Sequence, residues 1–107
     1  MLIFSKLFFP STFNALAVWP FIILKDKNLE YDFVLINHEK IHLRQQIELL
    51  WLPFFIFYLL EFLTKLIIYK KPKLAYNNLS FEREAYHNEQ NLTYLSNRNF
   101  WNFLKYL

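Results

Sequence analysis

The chain has 107 residues with 13 Phe, 7 Tyr and 3 Trp, no Cys, no Gly and a formal net charge of +3. That length suits one domain with a modest core, without a disulfide framework, a thiolate metal site or a glycine-rich phosphate loop. Its basic residues are scattered among acids and aliphatics, which argues against a nucleic-acid partner and suits a membrane surface better.

Residues 1–24 are mostly apolar but are interrupted by Pro10, Ser11, Thr12, Asn14 and Pro20. A membrane-crossing helix tolerates such breaks poorly. Ala15-Leu16-Ala17 is similar to a signal-peptide cleavage site, yet the apolar run before it is short and only Lys6 supplies positive charge. Residues 2–9 read as a short helix or apolar anchor. Ala15 to Leu24 is β-branched and aromatic and reads as an extended strand, with Pro20 marking it as a sheet edge. Lys25-Asp26-Lys27-Asn28 is the turn that ends it.

The next helix starts near Tyr31-Asp32, with Asp32 as its N-cap, and runs through Glu48. Arg44 and Glu48 are spaced to pair along it. It carries His38-Glu39-Lys40-Ile41-His42, an H-E-x-x-H pattern. Residues four apart lie on one helix face, so both imidazoles can reach one metal ion. Glu39 stands at the edge of that face, where a carboxylate can take a proton from water that the metal activates. With no cysteine in the chain, the ligands to a metal must be histidine or carboxylate.

Pro53 is expected to kink or end the helix. Leu49 to Tyr69 is the most apolar stretch, long enough for a membrane helix, and Glu61 and Lys65 inside it are spaced to neutralise each other. Lys70, Lys71 and Lys73 close it with a basic cluster suited to solvent or to anionic lipid. Leu74 to Asn78 reads as linker. Ser80 reads as the N-cap of a helix from about Phe81 to Leu95, and Asn97 as the cap of a last short helix.

A catalytic zinc needs a third protein ligand and an open position. Glu61 lies several turns beyond His42 and is set aside. Glu82, Glu84, His87 and Glu89 share a separate helix that could pack across the first. The combination HEKIHLRQQ plus FEREAY resembles the gluzincin metallopeptidases, in which an H-E-x-x-H helix is followed by a glutamate helix of the form E-x-x-A-D. His42-Leu43-Arg44 is similar to the membrane peptidase domain of β-lactam-sensing signal transducers. The order of strand, histidine helix and glutamate helix is similar to that of miniature gluzincins.

The resemblance covers about the middle 70 residues and implies zinc held by His38, His42 and Glu82, with Glu39 as general base. Glu84 is the rival third ligand. Tyr86 stands where the family has an aspartate that orients a ligand histidine. Its hydroxyl could take over that task or, like His87, donate to a developing oxyanion.

A single crossing by Leu49–Tyr69 would leave His42 and Glu82 on opposite sides of a bilayer. The sequence is therefore expected to give a single, mainly α domain with one short edge strand or hairpin, zincin-like, embedded in or lying on one membrane face. Lys40, Arg44, Lys70, Lys71 and Lys73 favour the cytoplasmic face. The expected activity is zinc-dependent cleavage of a peptide or protein substrate, with the edge strand pairing with an extended peptide. The other reading is a non-catalytic small membrane protein acting in assembly or signalling.

Overall fold

A computed structural model describes residues 2–4 and 14–107. The fold is mainly helical with a small sheet. Three strands, β1 (Leu2–Phe4), β2 (Ala15–Val18) and β3 (Phe21–Leu24), form a sheet in the order β1-β3-β2. The β1 strand is parallel to β3, and β2 is antiparallel to it. The first of these corrects the expected helix or anchor at its start, because Leu2–Phe4 pair with Ile22–Leu24. The remainder of that expectation, residues 5–9, lies outside the described residues. The expected single strand Ala15–Leu24 is a hairpin folded at Trp19-Pro20, whose peptide bond is cis. Proline fits the turn, where no ladder hydrogen bond is required of it.

Lys27–Tyr31 form a 3-10 turn leading into α1 (Phe33–Glu48). Asp32 caps α1 as expected, its side chain accepting from the Leu35 N–H at 3.1 Å. Leu50 and Trp51 then adopt left-handed backbone conformations, φ 60° and 67°, and the chain turns into α2 (Leu52–Tyr69). Pro53 neither kinks nor ends a helix. It sits in the first turn of α2, where its missing N–H has no helical partner to lose.

Two short helices return the chain along α2. The segment expected as linker is α3 (Pro72–Asn77), and α4 (Ser80–Asn88) follows. Ser80 is not the cap itself; Glu61 of α2 supplies the cap, accepting from Ser80 N at 2.8 Å and Ser80 Oγ at 2.7 Å. Both oxygens of Glu61 are thus engaged with Ser80, and no ion pair forms with Lys65.

The glutamate helix is shorter than the expected 81–95. Asn37 of α1 donates to the carbonyls of Glu89 (2.8 Å), Asn91 (3.0 Å) and Asn88 (3.4 Å). Those carbonyls find a partner outside the helix, and the helix ends there. A single turn, α5 (Tyr94–Asn97), and a 3-10 turn, Asn102–Tyr106, complete the chain in place of the expected last helix.

Phe54, Phe81 and Phe103 form the aromatic core between α2, α4 and the C-terminal turn, with ring centroids 4.6 Å apart for both Phe54–Phe81 and Phe81–Phe103. The sheet is tied to α1 by Gln46, which donates to the Ala17 carbonyl at 2.8 Å and accepts from the Trp19 N–H at 2.6 Å. These contacts fix α1 between the sheet and α4, with its histidines turned to the latter.

Candidate metal centre

His38, Glu39 and His42 are buried on α1, and their donor atoms lie within 4.8 Å of one another, so this group could hold a metal ion. Glu82 of α4 reaches the same point. Its Oε1 lies 3.3 Å from His38 Nε2 and 3.1 Å from His42 Nε2, and the two Nε2 atoms are 3.2 Å apart. Glu39 stands further out, its Oε2 3.9 Å from His38 Nε2. The three closest donors therefore come from His38, His42 and Glu82, with Glu39 beside them.

The spacing follows from the two helices. His38 and His42 are one turn apart, and their rings meet edge to face with centroids 4.8 Å apart. Glu82 lies in the first turn of α4, whose N-terminus Glu61 anchors to α2. The second Glu82 oxygen, Oε2, accepts from the Tyr58 hydroxyl of α2 at 3.1 Å. One carboxylate oxygen is thereby held by α2 and the other is left to the histidines.

Electrostatics reflect this packing. Burial opposes the charged form of His42, but the Glu82 carboxylate beside it outweighs that cost and holds the imidazole up to about 9. Burial likewise opposes the charge on Glu82, yet His42 and His38 keep its carboxyl well below the usual range. Glu39 is shifted the other way, raised chiefly by burial, with the two histidines only partly compensating.

Gln45 supports His42 from one side. Its Oε1 lies 2.8 Å from His42 Nδ1, and its Nε2 donates to the Phe81 carbonyl (3.1 Å) and to Glu84 Oε1 (2.9 Å). Behind it, Arg98 bridges Glu84 and Glu48, Tyr94 donates to Glu84 Oε2 at 2.6 Å, and the Trp101 N–H donates to Glu48 Oε1 at 3.1 Å. Glu84, the rival ligand, therefore faces Arg98 and not the histidines. Glu48 pairs with Arg98 in place of the expected Arg44.

The remaining expected residues fall around this cluster. Tyr86 lays its ring against His38, centroids 4.4 Å apart, with Tyr76 near its hydroxyl. It is half exposed and forms the wall of the site towards solvent. Glu89 brings Oε1 to 3.6 Å from His38 Nδ1. His87 turns away and packs on Tyr106. Gln45, Tyr58 and Tyr76 were not among the expected site residues. Gln45 is three residues beyond His42, on the same helix face, a spacing that carries the signal. Tyr58 and Tyr76 come from segments whose approach depends on the α2–α4 packing and has no local signature.

The chain matches no protein-family model, no curated protein and no solved structure. The resemblance to gluzincins rests on the H-E-x-x-H and glutamate-helix residues themselves.

Proposed function

We propose that the chain is a membrane-associated zinc-dependent peptidase. The observation that carries this reading is the triangle of His38 Nε2, His42 Nε2 and Glu82 Oε1, with sides of 3.1–3.3 Å. Three donors around one tetrahedral zinc, at bond lengths of about 2.0–2.1 Å, stand roughly 3.3–3.4 Å from each other. The residues therefore fit the ion in number, donor type and spacing. Two imidazoles and a carboxylate leave the fourth position of such a site to a substrate or water.

His38, His42 and Glu82 would hold the zinc, which when bound supplies Lewis acidity to water and to a peptide carbonyl. Glu39 sits beside the ligands and takes and returns the proton at its carboxylate. Tyr86 lines the solvent side, over His38, where a hydroxyl can donate to a developing oxyanion. An extended peptide would add to the outer edge of β2. The Lys25 N–H bonds the Asn14 carbonyl, so residues 14, 16 and 18 turn towards β3, while Ala15 and Ala17 turn outward. Gln46 already fills that edge from Ala17 to Trp19, which leaves the Ala15 end for substrate.

The second reading, a non-catalytic protein, is favoured by the burial of all four groups, His38, Glu39, His42 and Glu82. There Glu39 would close the site as a fourth ligand. A comparison of three variants separates the two. With Glu39 as base, Glu39→Gln keeps zinc and removes peptide hydrolysis, whereas His38→Ala and His42→Ala lose zinc. Loss of zinc in Glu39→Gln as complete as in the histidine variants overturns the peptidase reading.

A further inference from the structure

The α2 helix has its polarity inverted. Its two charged residues, Glu61 and Lys65, and its Tyr58 lie on the side packed against the domain. Leu52, Ile56, Leu59, Leu60, Leu63 and Ile67 are all exposed, and at about 100° per residue they fall in one stripe roughly opposite that side. A water-soluble domain presents the reverse arrangement. Among the described residues, α2 is also the one helix long and apolar enough to cross a membrane, with a mean hydropathy of 1.7 over 18 residues and only 11 % of them buried. The stripe runs into Lys70, Lys71 and Lys73, which are exposed at its C-terminal end. Aliphatic side chains ending in a cluster of cations are complementary to acyl chains bordered by anionic headgroups.

Two orientations would place the stripe in lipid, and the packing separates them. Tyr58 reaches Glu82, and Glu61, one turn further along α2, reaches Ser80. The chain therefore returns antiparallel beside α2, and residues 80–83 lie level with its middle. Arg83 is exposed there, and Lys73 is exposed on α3, which also packs against α2. An upright α2 would draw Arg83, and Lys73 nearer its end, into the hydrocarbon region, where charged side chains are disfavoured. A flat α2 leaves Arg83 in water and keeps Lys73 at the headgroup level, out of the hydrocarbon.

We propose that α2 lies flat in one leaflet of an anionic bilayer, with the stripe towards the acyl chains and the three lysines among the headgroups. This sharpens the membrane setting of the proposed peptidase, and its test reads vesicle binding, not hydrolysis.

The chain has no native cysteine, so single cysteines can be placed cleanly at positions 52, 60 and 67. Each full-length variant is labelled with a fluorophore and bound to vesicles of phosphatidylcholine and phosphatidylserine in equal parts. Quenching by lipid-borne spin labels then reports depth. Positions 52 and 67 are about 22 Å apart along the helix. Equal depth for all three labels is expected. A depth that changes across the bilayer from 52 to 67 overturns the flat orientation.

Binding to pure phosphatidylcholine vesicles should be weaker by on the order of a hundredfold, from three lysines near the surface. Equal binding to both vesicle types overturns the assignment of the lysines. Leu59→Gln with Leu63→Gln, checked for native helix content by circular dichroism, should lose vesicle binding. Retained binding, or a stripe protected from quencher by a stable dimer in solution, overturns the lipid contact. In the dimer case the occupant of the stripe is a second copy of the chain.

Discussion

His42 Nδ1 lies 2.8 Å from Gln45 Oε1, and the glutamine cannot turn its amide without losing two other bonds. Its Nε2 donates to the Phe81 carbonyl and to Glu84, so its oxygen must face His42. The oxygen accepts, which makes Nδ1 the protonated nitrogen and leaves Nε2 for the cluster with His38 and Glu82. Gln45→Met keeps the length of the side chain and removes the acceptor. Its zinc affinity, measured by competition with a chelator, should fall about 10- to 100-fold with unchanged helix content. Unchanged affinity would mean that His42 is oriented by packing alone.

Arg98 holds the other end of this chain of contacts. Its guanidinium is inaccessible and bridges Glu48 of α1 to Glu84 of α4, so it ties together the helices that carry the candidate ligands. Arg98→Met would leave two buried carboxylates facing each other. Removing one partner of a buried ion pair costs about 3–5 kcal/mol, and the urea midpoint should fall accordingly. A loss below about 1 kcal/mol, the range of exposed pairs, would show that water reaches the bridge.

The elements that carry the candidate site were legible because their signals are local. Asp32 and the spacing of His38 and His42 define a capped helix with two histidines on one face, and that helix is present. The fold's departures come from partners distant in sequence. Residues 2–4 form a strand only because Ile22–Leu24 lie beside them. The helix expected over 81–95 ends early because Asn37, more than fifty residues before its last carbonyl contact, takes up its terminal carbonyls. Glu61 and Lys65 have ideal spacing for a pair, yet the Ser80 N–H and hydroxyl offer Glu61 two hydrogen bonds at a helix N-terminus. Tyr86 is the residue expected to orient a histidine, but Gln45 is the residue that meets His42 Nδ1.

Asn37 provides a direct test of that helix end. Asn37→Ala removes the donor shared by the carbonyls of Asn88, Glu89 and Asn91. The Asn88 and Asn91 carbonyls keep the bonds from the Asn91 and Tyr94 N–H groups, so the Glu89 carbonyl is the one that loses its partner, at about 1–3 kcal/mol. Thermal unfolding should shift down by an amount corresponding to that range, and hydrogen exchange should quicken at the C-terminal turn of α4. Faster exchange spread evenly over the chain would assign the loss to global stability and not to the cap.

Two tyrosines flank the candidate site, and their hydroxyls face different partners. Tyr58 donates to Glu82 Oε2 at 3.1 Å, which aims Oε1 at the histidines. Its ring stacks parallel on Phe81 with centroids 5.9 Å apart, a contact that Tyr58→Phe preserves. The hydroxyl of Tyr86 lies near Tyr76, while its ring packs edge-on against His38. Tyr58→Phe frees Glu82 Oε2, so zinc affinity should drop about tenfold or more, with activity restored at saturating zinc. Tyr86→Phe touches no ligand atom, so zinc affinity should hold. Peptide turnover should fall at least about tenfold, and up to 100- to 1000-fold where the hydroxyl donates to the oxyanion. Chelator competition and turnover measured on both variants separate the two roles. Turnover and zinc affinity both unchanged in Tyr86→Phe would make Tyr86 a packing contact in the wall of the site.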